Sequence, residues 1–226
     1  HGSLATIEIP EASGVQAVMR RLSGATRDMV SQNRDLESEL RKSTEEITTL
    51  QQRLEQARRD ALTDGLTGIG NRRCFDLALA EHGARAATGH AELCLILIDI
   101  DHFKRFNDAY GHRIGDQVLR VVGMKLKEIA QPNDTPARYG GEEFALLTLN
   151  TRFEAAMERA DSLRNALASN VLRNKQTGDN YGQVTVSMGV ARFRPTDSLE
   201  SFVQRADTAL YQAKREGRNR VISEAA

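Results

Sequence analysis

The chain has 226 residues, 40% of them apolar, with 31 basic and 31 acidic side chains and no tryptophan. Zero net charge and few aromatics leave no basis for broad nucleic-acid or membrane-surface binding, and no apolar run approaches the 18 or more residues of a membrane span. A chain of this length predicts one globular domain plus a further element. Two cysteines, Cys74 and Cys94, sit in apolar stretches and read as buried thiols rather than a disulfide, which fits a reducing, cytoplasmic setting. His1-Gly2-Ser3 reads as a tag remnant and residues 1–13 as a flexible start. An excised piece lacking its upstream sensor domain is therefore expected, and no signal peptide is visible.

Residues 14–62 contain no proline and, after Gly24, no glycine. On a heptad, Met19, Thr26, Asn33, Leu40, Ile47, Leu54 and Ala61 form one column, and Val15, Leu22, Met29, Leu36, Ser43, Leu50 and Ala57 form the other. All but Thr26, Asn33 and Ser43 are apolar, which predicts a coiled-coil helix about 70 Å long. Asn33 at a seam position favours a parallel, in-register dimer, because a buried Asn is satisfied by its twin. Arg53 and Arg58 meet as like charges on the flanks and should weaken the C-terminal end of the coil. Only Thr63 separates Ala61-Leu62 from Asp64, so rotation of the coil should be felt by the domain over 63–226.

Beyond the coil the pattern predicts helix 73–87, strand 92–99, helices 102–109 and 112–130, a hairpin over 136–149, helix 152–169, strand 183–193, helix 198–216 and a short strand 220–223. Strands interleaved with helices around an antiparallel hairpin indicate an α/β or α+β sandwich. The run Leu93–Ile98 is long and β-branched enough for a buried central strand, and it ends in Asp99-Ile100-Asp101. Acids at the end of a buried strand are costly unless positive charge meets them, and a hard oxygen-seeking cation is the usual answer. The hairpin carries Arg138-Tyr139-Gly140-Gly141-Glu142-Glu143-Phe144. Two adjacent glycines predict a tight turn with positive φ. Bare backbone at Gly140 and Gly141 beside paired acids suits a phosphate-bearing ligand with a divalent cation. If the two strands are neighbours, Asp99 and Glu142 share one metal cluster of the kind used for in-line attack on phosphate.

The hairpin resembles the GGDEF signature, in its GGEEF form, of diguanylate cyclases. The resemblance covers residues 62–223 in five blocks: Asp64–Arg73, Asp99–Asp108 continuing through Gly111-His112 and Gly115-Asp116, the signature itself, Val184–Val190, and Ala206–Arg220. It implies a ferredoxin-like, polymerase-palm fold and the condensation of two GTP molecules into cyclic di-GMP with release of two pyrophosphates. Asp99, Glu142 and the Ile100 carbonyl resemble the family's ligands for Mg²⁺, two ions per site, with Mn²⁺ able to substitute. Glu143 either helps deprotonate the incoming hydroxyl or completes the metal sphere. Asn107 and Asp116 resemble the guanine-reading pair, and Lys104, Lys214 and Arg218 the triphosphate contacts. His102 and Phe103 are expected to offer backbone N–H groups at a helix start. Lys214 and Arg218, four apart, are expected to share a face of the last helix. Asp108 is assigned to a helix cap. Asn71-Arg72-Arg73 are read as architectural, pairing with Asp64 or neighbouring acids.

The resemblance also implies a homodimer through the parallel coil, one GTP per subunit, with no nucleic-acid or membrane partner for this stretch of chain. One departure is visible. Family members often carry an inhibitory product site, Arg-x-x-Asp, shortly before the signature, where this chain has Gln131-Pro132-Asn133-Asp134. A carboxamide does not replace a bidentate guanidinium, so product feedback there should be degenerate. The alternative function is a catalytically inactive member that binds GTP or cyclic di-GMP. Retention of Asp99, Glu142, Glu143 and Lys214 argues for the active form.

Overall fold

The computed structural model describes residues 11–89, 91–173 and 180–224. The chain divides into two compact units between Ala57 and Arg58, inside a single helix, α1 (Glu11–Leu62). The first unit is the helix alone. Its heptad columns are exposed in the isolated chain, with Met19, Leu22, Met29, Leu36, Leu40, Leu50 and Leu54 each more than 60% accessible. A helix with an apolar stripe and nothing of its own to cover it is the expected form of one strand of a coiled coil.

The second unit is built on a five-stranded mixed sheet in the order β2-β3-β1-β6-β7. The strands are β1 (Leu93–Ile100), β2 (Thr135–Arg138), β3 (Glu143–Leu149), β6 (Val186–Arg192) and β7 (Val221–Ser223). All pairs are antiparallel except β6 with β7. Alternation on β1 splits the core. Cys94, Ile96, Ile98 and Ile100 pack with α4 (His112–Ile129) and α5 (Phe153–Ala168), while Leu93, Leu95 and Leu97 pack with α2 (Arg72–Ala87) and α6 (Leu199–Arg215). Each fully buried large aliphatic contributes about 1.5–3 kcal/mol, so β1, buried along its whole length, anchors both layers. This is the palm-type α/β sandwich expected. Cys94, buried, and Cys74, half-buried, are both free, and burial pushes the Cys94 thiol up to about 12.

Two differences from the expected elements are local. The run 183–193 is not one strand. It breaks at Val184-Thr185 into β6 and a preceding β5 (Asn180–Gln183), which pairs with β4 (Val171–Arg173) in a separate two-stranded sheet. The polar composition of 171–183 gave no period-2 signal, so β4 was not expected. Gly189 on β6 is also decisive for position. A Cβ there would collide with the backbone of Ala206 and Leu210, so glycine lets α6 lie directly on the sheet and carries its last turn to the end of β1. Among the described residues no helix is long and apolar enough to cross a membrane.

Candidate functional site

Asp99 continues the alternation of Leu93, Leu95 and Leu97, so its side chain leaves the sheet on the α6 face. Glu143 on β3 and Ser187 on β6 are its register partners. Asp99 keeps 6% of its surface, and Lys214, in the last turn of α6, places Nζ 2.8 Å from its Oδ2. Burial pushes the Asp99 carboxyl up; the hydrogen bond and charge of Lys214 oppose this, Asp101 adds to it, and Arg218 opposes it. The Glu142 carboxyl is also raised, by burial first and then by the charge of Asp99. A buried carboxyl whose charge also raises its neighbour calls for more positive charge than one lysine supplies.

Among the described residues no three His, Cys, Asp or Glu side chains gather in ligating geometry. The donors available are the two carboxylates and the Ile100 carbonyl. An all-oxygen set of low protein count suits Mg²⁺, which keeps several waters and takes substrate phosphate oxygens as well.

The signature turn differs from expectation in its geometry. The strands end at Arg138 and resume at Glu143, so Glu142 lies in a four-residue turn and not on the outgoing strand. Neither Gly140 nor Gly141 has positive φ. The backbone N–H groups of Tyr139 and Gly140 both donate to the Glu143 carbonyl, at 2.8 and 3.1 Å, and Ile100 N donates to the Glu142 carbonyl at 3.3 Å. A Cβ at Gly140 would come 2.5 Å from Glu143 Oε2 and turn that carboxylate aside, whereas nothing lies within 4 Å of a Cβ at Gly141.

Behind the turn, Arg138 donates to the Gly141 carbonyl through Nε and Nη2, at 3.2 and 2.7 Å. Its Nη1 reaches the Asp64 carboxylate at 3.3 Å. Asp64 also accepts from the Thr67 N–H and hydroxyl. Burial would raise the Asp64 carboxyl, but these bonds and the Arg138 charge outweigh it and leave it lowered. Arg138 was not anticipated in this role. Arg72 takes a neighbouring acid, Asp76, at 3.2 Å and lies 3.6 Å over the Tyr139 ring. Asn71 caps α2 through the Cys74 N–H and donates back to the Ala61 carbonyl at 2.9 Å. The last residues of α1, the Asp64 turn and the signature turn are thus joined by one chain of hydrogen bonds.

A second cluster lies where α3 (Phe103–Tyr110) meets α4. His102 adopts a left-handed φ of 58° ahead of α3, Phe103 is buried in the core, and Lys104 is exposed on the first turn. The first N–H groups of a helix have no partner within it. Asn107 is half-buried and its Oδ1 has no hydrogen-bond partner. It lies directly over Gly115, where a Cβ would overlap Oδ1 and crowd the Phe103 ring. Asp116 follows, half-buried, on the same helix turn. Gly115 is therefore part of this corner, and a glycine inside an amphipathic helix was the available signal. Asp108 does not cap a helix; it is exposed within α3, whose ends are made by His102 and Gly111.

Arg218 is not on the last helix. α6 ends at Arg215, and Gly217, Arg218 and Asn219 follow with φ of 114°, 63° and 45°. Its charge still bears on Asp99, but the turn directs it there and the i, i+4 relation to Lys214 does not apply.

A family model described as "Diguanylate cyclase, GGDEF domain" matches residues 61–220. The chain belongs to the GGDEF family of diguanylate cyclases. Diguanylate cyclase VdcA of Vibrio cholerae is 39% identical over 210 residues, which is 92% of this chain and 60% of VdcA. The chain thus spans less than two thirds of that relative's length. The crystal structure of the coiled coil and GGDEF domain of DgcB from Caulobacter crescentus, in complex with c-di-GMP, superposes with a TM-score of 0.78 at 43% identity, covering 83% of this chain and 98% of that one. The active GGEEF domain of a diguanylate cyclase from Vibrio cholerae, which bears the Glu-Glu form in its name, matches with a TM-score of 0.63 at 32% identity, covering 69% and 97%.

The stretch Gln131–Asp134, where the resemblance implies a product site, lies between α4 and β2. The Asp134 side chain has no accessible surface and is ion-paired with Arg159 of α5. Its Oδ2 also accepts from the Gln131 N–H at 2.8 Å. Asp134 is thus occupied inside the domain, in addition to lacking the expected arginine at position 131.

Proposed function

We propose that this chain is a diguanylate cyclase that joins two GTP molecules into cyclic di-GMP, working as a homodimer with one GTP per subunit. The observation that carries the reading is the buried Asp99 carboxyl at the end of β1 with Lys214 against it, beside the half-buried Glu142 whose carboxyl is raised by burial and then by the Asp99 charge. Bound to Asp99, Glu142 and the Ile100 carbonyl, Mg²⁺ would neutralise charge building on the pyrophosphate leaving group. Lys214, Arg218 and Lys104 hold the triphosphate, and the α3 N-terminus at His102-Phe103 adds backbone donors. Gly140 and Gly141 leave the signature turn free of side chains where phosphate approaches. Glu143, directly across from Asp99, either takes the proton of the incoming 3′-hydroxyl or completes the cation's ligand set. Asn107 and Asp116 read the guanine edge, the carboxylate accepting from ring N–H and amino groups. Each domain holds half of the reaction centre, and the coil brings two halves together. The relative with 98% of its length matched is described as a coiled coil plus GGDEF domain, which supports this division at residues 14–62 and 63–226.

Incubation with GTP and Mg²⁺ tests the reading, with cyclic di-GMP and pyrophosphate as the expected products. GTP binding without turnover would leave the chain as a binding member of the family.

The unpartnered Asn107 Oδ1 predicts a strong effect at a neighbouring residue outside the proposed substrate contacts. Gly115→Ala should force the Asn107 side chain aside. The GTP Michaelis constant should rise, and the margin over ATP shrink, by about 1–3 kcal/mol, or roughly five- to 150-fold. Steady-state kinetics with both nucleotides check this, and unchanged selectivity would place the guanine site elsewhere.

Added cyclic di-GMP should inhibit only weakly, because Asp134 is held by Arg159 and Gln131 brings no charge. Gln131→Arg should lower the half-inhibitory concentration by about tenfold. Strong inhibition of the unaltered chain, unmoved by that substitution, would assign the product site to other basic residues, with Arg152, Arg159 and Arg164 the first to test.

A further inference from the structure

We propose that Asp101 is a positioning residue that aims Arg218 at the triphosphate by clamping the turn after α6. The inference rests on the GTP site described above and adds to it a residue outside the proposed substrate and cation contacts.

Asp101 lies just past the end of β1 and its carboxylate is fully engaged. Oδ1 accepts from the Ser187 hydroxyl at 2.6 Å, and Oδ2 accepts from the Thr185 hydroxyl at 2.7 Å and from the Asn219 backbone N–H at 3.0 Å. Its own N–H donates to the Thr185 carbonyl at 3.0 Å. Ser187 is completely buried. The carboxylate is thereby fixed from the β6 side, and its remaining bond reaches across to the α6–β7 turn.

That turn needs holding. Arg218 and Asn219 are consecutive non-glycine residues in left-handed backbone, a conformation disfavoured by Cβ contacts with the carbonyl unless neighbours impose it. The Arg218 N–H closes back on the Ala213 carbonyl at 3.0 Å. Arg164 grips the Asn219 side chain at 3.1 Å, and Arg220 Nε donates to the Arg218 carbonyl at 3.2 Å. Asp101 supplies the one charged acceptor for a backbone N–H of the strained pair. A single carboxylate thus connects the chain end that bears Asp99 with the turn that bears Arg218. The helix cannot aim Arg218, since it stops at Arg215, so the direction of the guanidinium is set by the turn and its clamp.

Asp101→Asn keeps size and both hydroxyl partners but weakens the acceptor for Asn219, and its amide group opposes that N–H if it turns toward it. The expected result is a rise of about tenfold in the GTP Michaelis constant with a smaller change in kcat. The deciding measurement is the double mutant with Arg218→Ala. If Asp101 acts through Arg218, Asp101→Asn has no further effect on the Michaelis constant once Arg218 is gone. An equal penalty in both backgrounds, or no change in the unaltered background, overturns the proposal. Should Asp101→Asn fail to fold, Ser187→Ala loosens the same carboxylate from behind. It should give a smaller rise, about threefold, that also vanishes with Arg218→Ala. Binding of a non-hydrolysable GTP analogue is followed in parallel. Loss of Asp101 dependence with intact GTP binding defeats only the clamp, whereas an unaltered chain that binds no GTP defeats the reading of the site as well.

Discussion

Asp99→Asn and Glu142→Gln should each abolish cyclic di-GMP formation, by at least about a thousandfold, while leaving the fold intact. Both substitutions keep side-chain volume and remove one anionic oxygen donor from an all-oxygen set of few protein ligands. Asp99 is nearly buried, and its charged form is disfavoured by burial, so its replacement by a neutral amide costs the core little. The remaining penalty is the Lys214 ammonium left without its partner, partly offset because that side chain is 32% exposed. Retained turnover in either mutant, with folding verified by thermal unfolding, would remove these two acids from the cation site. The raised carboxyls also set a sign for pH. A carboxyl whose affinity for protons is raised by folding keeps its proton to higher pH than an ordinary one. Cation binding should therefore weaken on acidification before exposed carboxylates titrate. The same groups favour the folded state on the acid side, so stability from Asp99 and Glu142 declines as pH rises through their folded values. Activity and metal-free stability should accordingly respond to pH in opposite directions over that window, measurable by turnover and by denaturation in chelator.

Polar substitution of Leu40, Ile47 and Leu54 together should yield a monomer that binds GTP yet turns over poorly at low concentration. These side chains are 69%, 53% and 70% exposed in the single chain. Six of them in a dimer seam, at about 1.5–3 kcal/mol each, represent gross burial on the order of 10 kcal/mol. Removing that much leaves the Val15–Leu36 part of the seam, interrupted by Thr26 and Asn33, and only Leu50 as a large apolar seam residue beyond it. A 3′-hydroxyl on one GTP must reach the α-phosphate of the other, so the rate follows the population of facing sites. Activity of the triple mutant should climb more steeply than linearly with protein concentration. A mutant that sediments as a monomer and retains the full per-subunit rate at nanomolar concentration would end the dimer mechanism.

Much of the fold was legible because it is written in local periodicity. The 3.5-residue repeat of α1 and the apolar run of β1 each follow from a few neighbouring residues. Acids at the end of a buried strand likewise announced a site before any fold was known, since their charge had to be met. Less legible was everything decided by close approach between distant segments. Whether Gly140 and Gly141 were needed for φ or for space depended on where Glu143 folded back. The roles of Gly115 and Gly189 depended on Asn107 and on the α6 backbone arriving within contact distance. Arg138 and Asp64, 74 residues apart, met only through the pairing of the signature turn with the start of the domain. Short-range composition and period were enough to read the long heptad helix, the central strand, and the acidic and basic side chains proposed for the chemistry. Which basic side chain meets which acid, what holds Arg218 and how Asp134 is enclosed depend on ångström-scale distances between chain segments, which no local pattern encodes.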